Sequence, residues 1–150
     1  MRRRVKRAAD TDQLLKDLTE KGRPFATMAH AMIFAAALGY SESRRQAFTK
    51  AEEAIPWEVF ARISTGPDFI DMLAGVDSDD TDILSDARAD DRVEIFEEYA
   101  NGGLHVIAER MAADDRLPLE VLLDLVLERE SADQAKRDVD LGALAAEIIS

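Results

Sequence analysis

A chain of 150 residues, 47% hydrophobic and 33% charged, is long enough to bury a sizeable core and too apolar for disorder over most of its length. The lack of cysteine excludes a disulfide framework, a thiolate metal site and a cysteine nucleophile; no apolar secretory run opens the chain, so a cytoplasmic protein is expected. The net charge of −12 is unevenly divided: residues 1–50 hold 11 Lys/Arg against 5 Asp/Glu, a net of +6, while residues 51–150 hold 8 against 26, a net of −18.

The basic surplus starts with an arm of Arg2, Arg3, Arg4, Lys6 and Arg7, which can meet phosphates or be a solvated chain end. Asp10 or Thr11 then caps a helix to about Lys21, with Leu14, Leu15 and Leu18 on one face and Gly22 as its stop. Gly22-Arg23-Pro24 turns the chain into FATMAHAMIFAAALGY. From Met28 to Leu38 this stretch has only His30 among Ala, Met, Ile, Phe and Leu, which predicts a helix buried all round and central to the fold. Thr27 suits its N-cap and Gly39 its left-handed C′ position. At about eleven residues it is far short of the ~20 needed to cross a bilayer.

Residues 41–54 are polar and are expected to form a loop exposing Arg44 and Arg45. Pro56 and Pro67 each suit the first turn of a helix, the first to about Ser64 with Trp57, Phe60 and Ile63 inward, the second with Phe69, Ile70, Leu73 and Val76 inward. After the acidic run Asp77–Asp82 and a short helix over Thr81–Ala87, a long helix from about Asp90 carries the stripe Val93, Phe96, Ala100, Leu104, Ile107 and Met111. Gly102 and Gly103 interrupt it at a cost of roughly 2 kcal/mol, so either the helix kinks there or another backbone packs against it. A helix over Leu117–Glu130 buries Val121, Leu122, Leu125 and Val126. The expected class is all-α: a compact multi-helix bundle around the helix at residues 28–38, with one short basic strand allowed around Arg3–Arg7. Residues 1–130 form a single domain, and 131–150 a charged, loosely attached C-terminal helix or tail.

The chain carries no G-x-S-x-G, P-loop, H-E-x-x-H or G-x-G-x-x-G motif, so no catalytic or cofactor-binding residue is assigned. Asp77–Asp82 departs from a calcium loop because Asp82 stands where a sharp-turn glycine belongs and Arg88 where the twelfth-position carboxylate belongs. His30 reads as a core imidazole. His105 shares a helix face with Glu98 and Glu109, but Gly102 stands where a di-iron bundle repeats its glutamate, so no metal is expected.

PFATMAHAMIFAAALGY, the downstream IPWEVF (55–60) and ILSDARADDRVEIFEEYANGG (83–103) resemble the DNA phosphorothioation-associated protein 4 family, also called dnd system-associated protein 4. IFEEYANGG is the most specific part. The basic start RRRVKRAAD also fits, with Ala8 where a proline is expected, and the resemblance covers about Arg3 to Leu127. It implies a setting beside DNA sulfur modification and linked restriction functions, hence phage defence, and partners among the proteins of such a system. It supplies no catalytic residue. The expectation is therefore a non-enzymatic accessory or adaptor protein without a cofactor. The alternative is direct binding of double-stranded DNA through Arg2, Arg3, Arg4, Lys6, Arg7, Arg44 and Arg45, in the strand-then-two-helices order of a ribbon-helix-helix homodimer.

Overall fold

A computed structural model describes residues 4–149. Among these, two short strands and six α-helices follow in order: β1 (Arg4–Ala8), α1 (Asp12–Thr19), α2 (Met28–Ser41), β2 (Ala51–Pro56), α3 (Trp57–Ala61), α4 (Gly66–Asp77), α5 (Ala89–Asp114) and α6 (Pro118–Ile149). The class is all-α, as the helical periodicities predict, and a two-stranded sheet accompanies the helices.

The sheet is the main departure from expectation. β1 pairs antiparallel with β2, so the end of the expected 41–54 loop is a strand. Its register puts Val5 opposite Ile55, and that apolar pair is buried. Ile55 as the one large apolar side chain among AEEAIP leaves no period-2 signal, and the partner lies some fifty positions away, so local patterning could not reveal it. Along β1 the side chains alternate: Arg4 and Lys6 are exposed, whereas Val5 and Arg7 face the core.

α2 starts where expected. Thr27 Oγ1 accepts from the His30 amide at 3.2 Å and lies 2.7 Å from His30 Nδ1. His30 is therefore an exposed part of the cap, not a core imidazole. Burial is one-sided: Ala29, Ala31, Met32, Ala35, Ala36 and Gly39 face inward, and His30, Ala37 and Tyr40 face solvent. A helix without polar positions has no periodicity to mark its outer face, which is why the expectation of all-round burial fails. The helix also passes through Gly39 to Ser41, and the left-handed residue is Ser43, φ 54°. Gly39 is needed for its size, since a Cβ there would lie 2.2 Å from the Tyr99 carbonyl oxygen.

Two compact units divide the chain, one ending at Glu109 and the other beginning at Arg110, inside α5. In the first, α1 packs on α2 and buries Leu15 and Leu18, while Phe60 and Phe69 meet Phe96 edge-on with centroids 5.6 and 6.3 Å apart. Trp57 and Ile63 are only half-buried; Val76 is exposed because α4 turns Gly66, Ile70, Leu73 and Ala74 inward instead. Two 3₁₀ turns, Thr81–Leu84 and Asp86–Arg88, replace the short helix expected before α5. In the second unit α6 runs unbroken through positions 130 and 131, where a separate, loosely attached helix or tail was expected to begin. Val121, Leu122 and Leu125 are buried, Val126 is exposed, and Arg110 pairs with Glu128 at 2.7 Å. Among the described residues no helix is long and apolar enough to cross a membrane.

Candidate functional site

The residues assigned to nucleic-acid binding are not gathered into one free cationic surface. Arg2 and Arg3 lie outside the described residues. Arg4 and Lys6 stand exposed on β1. Arg7 is buried: its guanidinium pairs with Asp12, its Nε donates to the Glu53 carbonyl, and Nη1 lies 3.2 Å from Met28 Sδ. Arg44 makes a forked contact with Glu109, at 2.5 and 2.7 Å, which holds the Glu109 carboxyl below its ordinary range. Arg45 reaches Glu98 at 2.7 Å and Asp77 at 3.1 Å. Three of the five described cations are thus matched by the chain's own carboxylates. Nor is β1 free to pair in a ribbon with a second copy, for it pairs with β2, and the Lys6 amide donates to Glu97.

Two of those carboxylates, Glu97 and Glu98, belong to the segment IFEEYANGG (95–103), every polar residue of which is spent on joining elements. Glu97 holds β1 through Lys6, and Glu98 holds Arg45. The Tyr99 hydroxyl donates to Asp77 at the end of α4, and Tyr40 of α2 packs edge-on against its ring at 5.6 Å. Asn101, 2% exposed, accepts from Thr11 Oγ1 at 2.9 Å and donates to the Gln46 carbonyl at 3.2 Å. Gly102 and Gly103 sit where a Cβ would lie 1.9 Å from the Arg44 carbonyl oxygen and 1.8 Å from that of Ala35. Of the two sequence readings of this glycine pair, close backbone approach is the one the structure adopts, and α5 continues through it. The segment is a junction between β1, α2, α4 and the 44–46 chain.

Burial of Tyr99, reinforced by its bond to Asp77, pushes its phenol up to about 12. An unfolded tyrosine loses its proton near pH ~10. The folded chain therefore binds this proton more tightly, and the stability it contributes is complete below about pH 10 and is lost as pH rises toward ~12. Urea unfolding should show a steeper loss over this interval in the parent than in Tyr99→Phe. Identical pH profiles would mean that the hydroxyl is not held by Asp77.

His105 Nε2 lies 2.7 Å from Asp10, so His105, Glu98 and Glu109 take separate partners. Among the described residues no group of three or more His, Asp or Glu is placed to hold a metal ion.

A concave feature of the first unit lies elsewhere. Trp57 of α3, Pro67, Ile70 and Asp71 of α4, Asp86 of the second 3₁₀ turn, and Ala89, Arg92 and Val93 of α5 line a groove of about 410 Å³. Arg92 builds one wall: Nε donates to Asp71 at 2.9 Å, and Nη1 to the carbonyls of Ile83 and Ser85 at 2.8 and 2.7 Å. No local sequence signal marks this groove, because four segments between residues 57 and 93 assemble it. Trp57 reads from sequence simply as a core aromatic.

No curated protein and no solved structure matches the chain. A family model described as DNA sulphur modification system-associated protein 4 matches residues 4–144, from the first residue of β1 into the last third of α6. With nearly the whole chain matched, and with the EEYANGG segment forming its structural junction, this protein belongs to the DNA sulphur modification system-associated protein 4 family.

Proposed function

We propose that the chain is a non-enzymatic, cytoplasmic adaptor of a DNA sulfur modification and restriction system, binding a protein of that system with its acidic body. The observation that carries this reading is the internal neutralisation of the basic residues. DNA affinity is built largely from cations that release counterions from phosphates. Arg7, Arg44 and Arg45 already have carboxylate partners, leaving Arg4 and Lys6 as exposed cations among the described residues of the seven assigned. The surrounding charge favours the same reading, since a net −18 over residues 51–150 repels phosphate and attracts a basic protein surface.

A specific observation keeps direct DNA binding as the second reading: Arg4 and Lys6 project from the same face of β1, next to Arg2 and Arg3 in sequence. Duplex binding measured across a salt series separates the two. The adaptor reading expects no salt-sensitive affinity at low ionic strength. If the parent binds with log K falling by about 0.9 per phosphate contact as log salt rises, and a variant with Arg2, Arg3, Arg4 and Lys6 all changed to Gln loses that affinity, the adaptor reading is wrong.

A further inference from the structure

We infer that the groove between Trp57 and Asp86 is a docking site for an arginine side chain on an exposed segment of a partner protein, an inference that rests on the adaptor reading. Trp57 is the only tryptophan in the chain, and it stands half-buried at the groove instead of closing into the core as Phe60 does. Its indole N–H makes no hydrogen bond among the described residues, and Phe60 stacks against it, rings 22° apart with centroids at 6.3 Å. One aromatic neighbour therefore fixes the plane of the indole at the groove's edge.

The charges lining the groove decide what can bind. The Arg92 cation is answered by Asp71 at 2.9 Å and by two carbonyls, so it adds little unbalanced positive charge. Asp86 is exposed, and its side-chain carboxylate has no hydrogen-bond or ion-pair partner among the described residues. The surroundings deepen the negative potential, for residues 66–91 contain nine Asp and a single basic residue, Arg88. Arg88 is itself engaged by Asp91 and by Asp80. An anionic ligand would meet uncompensated carboxylate; a cation would be welcomed by it.

Among cations, arginine suits the geometry best. Its flat guanidinium stacks on an aromatic face while its fork of N–H donors meets a carboxylate, whereas a lysine ammonium is a compact, strongly hydrated point charge. A cation over an indole contributes more than one over any other aromatic ring. Half-buried Pro67 and the indole of Trp57 give apolar surface for the methylene stem. Arginine is among the side chains that most often anchor protein interfaces.

Because the chain has one tryptophan, its fluorescence reports on this groove alone. A capped peptide with arginine in an otherwise alanine sequence should produce a saturable change in Trp57 emission that weakens with salt. The same peptide with glutamine should produce none, and the lysine version a weaker one. Asp86→Asn should weaken the arginine peptide about fivefold, the loss of one exposed charge pair, with melting temperature and helical content unchanged. Equal response to the glutamine peptide, equal affinity of the lysine and arginine peptides, or undiminished binding by Asp86→Asn each overturns the proposal. So does a change in Trp57 emission with duplex DNA that Asp86→Asn enhances. If the peptide result is negative while the parent and Asp86→Asn retain the same partner protein from the native host, the groove is rejected and the adaptor reading stands. If the host yields DNA and no protein, the adaptor reading fails together with the groove.

Discussion

Gly103→Ala is expected to destabilise the protein by about 2–3 kcal/mol, lowering the melting temperature by roughly 4–12 °C. Two opposing terms set the value. Alanine is the better helix former by about 1 kcal/mol, and at an open position that term decides. At Gly103, however, the added carbon would lie 1.8 Å from the Ala35 carbonyl oxygen and 3.0 Å from its Cα, so the obstacle is the backbone of α2 and cannot rotate away. α5 and α2 would have to separate, and Gly39, whose own Cβ would lie 2.2 Å from the Tyr99 carbonyl oxygen, shows that the two helices are in close contact at a second point one turn along α2. Gly142→Ala supplies the internal control. It meets nothing within 4 Å in α6, and should leave the melting temperature unchanged or slightly raised. Thermal unfolding of the two variants beside the parent tests this. A Gly103→Ala protein as stable as the parent would mean that α2 and α5 do not touch here.

This pair of glycines also shows what kind of information the sequence carries. Helix periodicity placed most of the α5 stripe correctly, since Val93, Phe96, Ala100, Leu104 and Ile107 are buried and Met111 half-buried, and Gly102-Gly103 could be recognised as a site of either a kink or a close backbone approach, with the approaching chain unnamed. Leu15 and Leu18 of α1 were legible for the same reason. Signals failed where the determining partner is distant in sequence. β2 exists because β1 lies beside it, with Val5 across from Ile55, and AEEAIP has no alternation of its own. α2 has too little polarity to show which side faces out. Val76 and Val126 read as core residues on a helical wheel, yet they point to solvent, because Ala74 and Leu125 lie on the faces that turn inward.

The charged residues were the hardest to read, since Lys and Arg look alike whether they are solvated or paired. Arg44 meets Glu109 across 65 positions and Arg45 meets Glu98 across 53, and no helix-spacing rule reaches that far. One clue was present. With Val5 the single apolar residue of the arm, strand alternation sends residue 7 to the same side, so Arg7 had to be either buried or misfit. The groove at Trp57 offered no such parity argument. Its carboxylates belong to α4 and to a 3₁₀ turn, and only the folded chain sets them beside the indole.

Arg7 provides the second large effect and links stability to function. Its side chain and that of Asp12 are each 8% exposed, so solvent screens this ion pair little. Removing one member leaves the other charged and buried, which typically costs about 3–5 kcal/mol, against the ~0–1 kcal/mol of a surface pair. Arg7→Gln should therefore lower the melting temperature by roughly 6–20 °C. Lys16, 3.0 Å from Asp12 but itself half in solvent, offsets part of the loss and favours the lower end. The double variant Arg7→Met with Asp12→Leu should recover most of the stability, because it removes both charges and Met28 already supplies an apolar neighbour. A double-mutant cycle then gives the coupling directly. By contrast, Lys6→Gln, one position away and exposed, should change the melting temperature by less than about 2 °C. If instead Arg7→Gln is as innocuous as Lys6→Gln, the guanidinium is free, the arm gains a cation available to phosphate, and the balance between the adaptor and the DNA-binding readings shifts toward DNA.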